Sequence, residues 1–511
     1  MPRGTARSSV LVFLLLAAVL VSITLRTRAA APAGTTYVGT HYYVDDFYNY
    51  LSYVEQAQHG ALLMRNKLAP PSLPPTLLNL EWLWVGWLAA LLGGRPILAY
   101  GLFGLAALAA LVALVDRWLA RCGLSEGSRL AGLLLVFTGG GLGGVLFGLG
   151  RLPGERAWDI RSGAFPFVEA LANPHFVAGT VLLLGALSAF AARRPALGAA
   201  LGIALALVRP YDAGLLVLAE GLAVALRSPI RDWPRRLAPL AAVTPALAYD
   251  AWIFLASAGF RVFSSPRYVA LAPRPGDLLL SLGPALVLSL TSLNAWRDAA
   301  PEAREHLARL ALWAVLALAI VLLHPVSFAL QFVVGAGLPL LALGALGLAR
   351  TLPRALPPAV PLFAGSSAVA AWLAATPGLG QHVPVERYRV AEVLRESCRP
   401  GQLVLAPDDI GLFVGGLTPC WPWVSHAAAS DYDGREAVLL RFYDPRTGSD
   451  ERASILASIC PRHVVLPLAV PAGWLGPAAP YRPRFELTAA NRGLSVWTRD
   501  DTAPACAWPS S

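Results

Sequence analysis

The sequence reads as a polytopic α-helical membrane protein of about 11 transmembrane helices, with a small extracytoplasmic α/β domain at its C-terminus. Three observations lead there. The 511 residues are 56% hydrophobic and only 14% charged, a balance that soluble chains of this length rarely sustain. Apolar blocks of about 17–22 residues recur, the length that crosses a hydrocarbon core of about 30 Å. Residues 376–511 break from that composition and carry short strand and helix patterns instead. The formal charge of +10 does not point to nucleic acid: Lys67 is the single lysine, and the arginines lie mostly in short loops between apolar blocks.

The first block, "SSVLVFLLLAAVLVSITL", precedes the small-residue stretch "TRAAAPAG", as a signal peptide would. Its apolar run of about 17 residues exceeds a signal core of about 7–15, so it is read as a retained helix. Apolar blocks follow near 97–116, 130–150, 176–192, 196–208, 212–226, 237–257, 278–295, 310–323, 332–349 and 358–375. With the N-terminus inside, the inside loops carry Arg3 and Arg7; Arg117, Arg121 and Arg129; Arg193 and Arg194; Arg227, Arg231, Arg235 and Arg236; Arg297, Arg304 and Arg309; and Arg350 and Arg354. Each is basic, as the positive-inside rule requires for a protein of the cytoplasmic (inner) membrane. The segment 76–94 carries Asn79, Glu81, Trp82, Trp84 and Trp87, which suits an interfacial helix rather than a crossing.

The expected organisation is a transmembrane module over 1–375, with outside loops at 26–96 and 151–175, followed by an outside domain at 376–511. In the latter, "GQLVLAP" and "RHVVLPLA" read as buried strands and "DERASILASIC" as a helix between them. "RFELTAANRGLSVW" reads as a hairpin turning at Asn491–Gly493. Cys122 falls in an inside loop, while Cys398, Cys420, Cys460 and Cys506 fall in the outside domain, where an oxidising compartment permits two disulfides in any of three connectivities. Buried thiols in a reducing compartment are the alternative.

The stretch "THYYVDDFYNYLSYVEQAQHG", Thr40 to Gly60, places Asp45 and Asp46 among five tyrosines just after the first block. Phe47, Tyr50, Leu51 and Val54 fall at helical spacing and are expected to rest on the membrane; Asp46, Asn49, Tyr53 and Gln56 form a polar face. The acids then stand at the helix start, where exposed N–H groups favour carboxylates. Helix capping is the plain explanation. Two adjacent acids beside aromatics able to stack on a sugar ring point further, to a site.

In these residues and their order the chain resembles the GT-C superfamily of integral-membrane glycosyltransferases, particularly its protein mannosyltransferase and aminoarabinose transferase-like branch. The layout carries the resemblance: one helix, a long outside loop opening on an acid pair, interfacial helices, many spans and an outside C-terminal domain. So does the local motif, Asp46 followed by Tyr50 in a helix ending at Gly60; members often have Asp-Glu where this chain has Asp45-Asp46. The resemblance implies a polyprenyl-phosphate-linked sugar donor and an envelope glycan, lipid or protein acceptor at the lipid bilayer. It also implies inversion at the anomeric carbon, with Asp46, or secondly Asp45, as the base. A partly desolvated Asp whose pKa lies above about 3.9 can take a proton from an acceptor hydroxyl.

The second outside loop supplies Glu155, Asp159, Glu169 and His175. Asp159 or Glu169 would orient the acceptor or help Asp45 and Asp46 hold a divalent cation, Mg²⁺ or Mn²⁺; salt bridges from Asp159 to Arg156 or Arg161 are the plainer reading. For the leaving phosphate, Arg209 in "VRPYD" and Arg267 in "SSPRYVALAPRP" are the candidates, against pairing of Arg209 with Asp212. His426, Asp431 and Asp433 in "WPWVSHAAASDYDGRE" are candidates for acceptor contact or structure. A transporter or flippase of lipid-linked saccharide, or a non-catalytic envelope assembly protein, are the alternatives; transporters place polar groups at the midplane on broken helices. The glycine-rich "FTGGGLGGVLFGLGR" stands out among mid-span blocks that are largely Leu, Ala, Val and Gly, and reads as a flexible or close-packed helix.

Overall fold

A computed structural model describes residues 5–260, 273–326, 328–377, 380–429, 431–470, 473–476, 479–489 and 492–502. The chain forms two compact units. One comprises Met1–Thr27, Tyr100–Trp252 and Ser264–Thr376; the other comprises Arg28–Ala99, Ile253–Phe263 and Pro377–Ser511.

The first unit is helical. Several of its helices open on proline, at Pro174, Pro195, Pro210, Pro275 and Pro301, where the missing N–H breaks no helical bond. Among the described residues, six helices are long and apolar enough to cross a bilayer: Arg7–Ala29, Pro96–Arg121, Pro174–Ala191, Pro301–Leu323, Ala329–Thr351 and Pro353–Ala375. The pair Ile230–Ala241 and Thr244–Leu255, bent by 49°, makes a seventh if it is one span. This is a multi-pass membrane protein. The Ala329–Thr351 helix is almost wholly enclosed by protein, whereas Arg7–Ala29 and Pro353–Ala375 leave most of their apolar surface facing outward, as lipid-facing helices do.

Length and composition thus identify six or seven spans among the described residues, and the other four of the eleven expected apolar blocks form shorter, interrupted or charge-bearing helices. The block 130–150 is interrupted: the helix Glu126–Thr138 stops at Gly139 and a short helix resumes at Gly143–Gly148. A Cβ on Gly141 would lie 1.8 Å from the Ser281 carbonyl oxygen, and one on Gly143 2.4 Å from Asp159 Oδ1, so only glycine lets these segments meet. The block 196–208 becomes the 12-residue helix Pro195–Ala206, and 278–295 splits into Pro275–Ser289 and Ser292–Arg297. The helix Pro210–Arg227 carries Asp212 and Glu220 buried. Glu220 accepts two bonds from the Arg309 guanidinium at 2.6 and 2.7 Å.

In the second unit a five-stranded mixed sheet runs in the order Trp421–Pro422, Leu403–Leu405, His463–Pro467, Arg492–Arg499, Tyr481–Ala489. The first three strands are parallel and the last two antiparallel. Successive side chains alternate between faces. Leu403, Leu405, Val464 and Leu466 pack with Leu439, Phe442, Ile455 and Ile459 of the helices Tyr432–Tyr443 and Ser449–Ile459. Val404, Ala406 and Val465 face Val390, Leu394, Ile410 and Val414 of Val385–Ser397 and Asp408–Leu417. Helices cover both faces, which is why these strands are apolar runs. Each fully buried Leu, Val or Phe contributes about 1.5–3 kcal/mol.

The first loop belongs to this unit. Thr35–Tyr37 pairs antiparallel with His382–Pro384. The helix Val44–Gln58 buries Phe47, Leu51 and Val54 within the protein, so the stripe expected to rest on the membrane is core instead, and Asn49 and Tyr53 on the other face are buried as well. Gly60, at φ +92°, ends the turn after this helix. Leu80–Leu91 is capped by Asn79, whose side chain accepts from the N–H groups of Glu81 and Trp82; at 12 residues it rises about 18 Å, short of a crossing. The hairpin also differs in detail from expectation: Gly493 lies within a strand opposite Thr488, while Ala490 and Asn491 lie outside the described residues. Cys398 and Cys420 form a disulfide and Cys122 is free and buried; Cys506 lies outside the described residues.

Candidate functional site

Asp45 and Asp46 occupy the first turn of Val44–Gln58. Tyr43, in the left-handed region at φ 50°, precedes the helix and makes no side-chain cap bond. Asp46 keeps 44% of its side chain exposed, and its Oδ1 lies 3.4 Å from His426 Nε2. The Ala428 N–H donates to His426 Nδ1 at 2.8 Å. That nitrogen therefore acts as acceptor, which assigns the ring proton to Nε2, facing Asp46. The loop after strand Trp421–Pro422 thus aims a donor at one carboxylate oxygen.

Asp45 stays in contact with solvent, yet its carboxyl is raised above the usual carboxylate range. Desolvation by the surrounding protein is the largest cause; His426 opposes it, while Asp46 and Asp408 add to it. Asp408 begins the helix after strand Leu403–Leu405. Tyr432, at the start of the next helix, donates to Glu436 at 3.0 Å. The Tyr432 phenol is pushed up to about 12, first by desolvation and then by Glu436, Asp408 and Asp45. Four acids, a tyrosine and a histidine therefore gather in the second unit around the start of one helix.

The other expected site residues sort differently. Tyr50 stacks on Trp82, ring centroids 4.7 Å apart. Asp159 is fully buried and accepts from Ser366 Oγ at 2.7 Å and the Gly144 N–H at 2.9 Å. Its expected partners Arg156 and Arg161 go elsewhere: Arg156 forks onto Asp277 at 2.7 and 3.0 Å, and Arg161 donates to the Glu155 carbonyl. Asp159 holds the glycine-rich turn in place. Glu169 is also fully buried, bonded by Thr180 Oγ1 at 2.9 Å, and burial pushes its carboxyl up to about 8. Arg209 is buried and paired with Asp212 at 2.8 Å; it also donates to the Gln331 carbonyl and lies over the Phe176 ring. Glu169 and Arg209 thus share one buried cluster, in which pairing with Asp212 occupies the arginine. His175 is half-buried beside Phe176, its backbone N–H capped by Asn173. Arg267 lies outside the described residues.

Among the described residues, the one group of three His, Cys, Asp or Glu ligand atoms within 4.8 Å of one another is Cys398, Cys420 and His463, and its two sulfurs are bonded to each other. Reading along the sequence missed Asp408, Tyr432 and Glu436. The acid following the apolar run "LVLAP" was the available signal, because carboxyl ends of parallel strands are where α/β sheets hold ligands.

Two solved structures share this architecture. Arabinofuranosyltransferase AftD from mycobacteria superposes with a TM-score of 0.56 at 17% identity, over 95% of this chain and 40% of AftD, so this chain spans less than half of that protein. ArnT from Cupriavidus metallidurans, in a crystal structure bound to undecaprenyl phosphate, superposes with a TM-score of 0.53 at 15% identity, over 98% of this chain and 100% of ArnT. At these identities the likeness is one of fold alone. No family model matches the chain, and no protein of curated function matches it by sequence.

Proposed function

We propose that this protein is a membrane glycosyltransferase that moves a sugar from a polyprenyl-phosphate donor to an envelope glycan, lipid or protein. The reaction takes place on the outer side of the cytoplasmic membrane, with the N-terminus inside and the α/β unit outside. The observation that carries the reading is the half-exposed Asp46 carboxylate, oriented by His426, on a chain with the GT-C fold.

In this reading Asp46 accepts the proton of an acceptor hydroxyl as its oxygen attacks the anomeric carbon. The bond from that carbon to the donor phosphate oxygen breaks, and the polyprenyl phosphate leaves with the electron pair. Attack opposite the leaving group inverts the anomeric configuration. Asp45, whose environment disfavours its charge, lowers the cost of a second carboxylate beside the base. Glu169 and Arg209 organise the helical unit rather than touch the reacting atoms. Asp45 and Asp46 are also the ligands that Mg²⁺ or Mn²⁺ would take. Such a cation would be held by these carboxylates together with water and donor phosphate oxygens, and transfer measured in EDTA, with and without added Mg²⁺ or Mn²⁺, tests that role.

The test is transfer in liposomes from a polyprenyl-phosphate sugar, with Asp46→Asn and Asp45→Asn made separately. Asp46→Asn is expected to lower turnover by about 10²–10⁴-fold. Full turnover in both variants removes the base and the reading with it.

A further inference from the structure

A crevice of about 750 Å³ opens in the second unit where the parallel strands end. Pro407 and Asp408 follow strand Leu403–Leu405, and Pro467 ends strand His463–Pro467, so the crevice lies at the carboxyl edge of the sheet, the place where open α/β sheets hold ligands. Its volume is within the range of about 300–1,000 Å³ usual for small-ligand sites. Glu436, Leu440, Tyr443 and Trp474 complete the working part of the wall.

The chemistry of that wall is specific. Tyr443 anchors its hydroxyl on the Val465 carbonyl at 2.6 Å, leaving the ring as lining. Trp474 Nε1–H is buried and has no hydrogen-bond partner among the described residues. Asp408 and Glu436, when ionised, only accept hydrogen bonds. The wall therefore combines aromatic and apolar faces with carboxylate acceptors. A saccharide ring matches it, with C–H faces for the aromatics and rim hydroxyls that both donate and accept. The two carboxylates would repel a phosphodiester, which excludes the donor from this crevice. They also connect it to the acid pair: Asp408 acts electrostatically on Asp45, and Tyr432 bonds Glu436 while feeling both Asp408 and Asp45.

We propose that this crevice binds a neutral saccharide and is the subsite that presents the acceptor glycan to Asp46, an inference that rests on the glycosyltransferase reading. The full-length protein in detergent is titrated with mannotriose, arabinotriose, isomaltotriose and chitotriose, read by saturation-transfer NMR. At least one probe is expected to bind with a Kd of about 1 mM or tighter. Leu440→Trp, at a position 64% exposed where a larger side chain fills the crevice without entering the core, is expected to weaken that probe by about tenfold or more. Glu436→Gln, nearly isosteric, is the second variant and is expected to weaken it as well. No binding by any probe up to about 10 mM overturns the proposal, as does binding indifferent to both crevice variants. Transfer that survives Asp46→Asn while Leu440→Trp loses binding removes the base and leaves the crevice standing, so the two readings fail separately.

Discussion

His426 differs from Asp46 in what its loss should do. As a positioning residue it holds Nε2 3.4 Å from the carboxylate, an ion-pair contact that can shorten to a hydrogen bond as charge develops in the transition state. His426→Ala is expected to lower kcat by about 10–100-fold, with the acceptor KM little changed. His426→Asn should recover part of the loss, since its amide can still donate. A parallel fall in thermal stability, with kcat/KM moving through KM alone, would show a structural role instead. Asp46 was readable as a candidate because two acids following one apolar block at a helix start form a local pattern. His426 was noted as a residue, but not as its partner: 380 positions separate them, and nothing in either neighbourhood names the other.

Lys67 shows how the first loop joins the C-terminal segment within the second unit. Its ammonium, fully buried, donates to Glu55 at 3.2 Å, to the Gly415 carbonyl at 3.1 Å and to the Thr418 carbonyl. The two partners shift in ways that need separate reasons. On Lys67 burial outweighs the attraction of Glu55, so its pKa falls. On Glu55 burial raises the pKa, but Lys67 and His59 together outweigh it and bring the value down to about 2. Glu55 therefore adds stability above its unfolded value of about 4.5, lost as pH falls toward 2. Lys67→Ala leaves a buried carboxylate uncompensated and is expected to cost about 3–5 kcal/mol, read as a lowered Tm in detergent. Adding Glu55→Gln should recover much of that loss; no recovery would mean that Lys67 acts through packing on Trp421 instead.

Glu169 works in the opposite sense. Its folded pKa of about 8 lies above the reference of 4.5, so the folded state holds a proton that the unfolded chain has released, and stability falls as pH rises across that window. Tm is expected to drop between about pH 5 and 8, and Glu169→Gln to flatten the drop. An unchanged slope in the variant would place the titration elsewhere. The acid was visible in the sequence; its burial against Thr180 was not, because only the packing of two helices encloses it.

The molecule's arrangement across the bilayer is the premise of the proposed function. A C-terminal alkaline phosphatase fusion is expected to be active, and a C-terminal green fluorescent protein fusion dark. Without reductant, denatured protein should leave Cys398 and Cys420 closed to maleimide labelling, because a disulfide persists in an oxidising compartment. Labelling of both thiols without reductant, together with an inactive phosphatase fusion, would place this unit in the cytosol.

Hydropathy alone made this a multi-pass helical membrane protein. A bilayer demands long apolar helices, and each helix satisfies its backbone within itself, so the signal is local and additive. The strands at Leu403–Leu405 and His463–Pro467 were legible for a similar reason, as short apolar runs bounded by turn residues. Tertiary structure decided the rest. It turned the supposed membrane stripe of Phe47, Leu51 and Val54 into core, gave Asp159 to a glycine turn and Arg209 to Asp212, and brought His426 to Asp46. Periodicity reports that a face is apolar, or that a charge must be paired. Which surface covers that face, and which group answers that charge, depends on segments hundreds of residues away, and chain folding alone sets those distances.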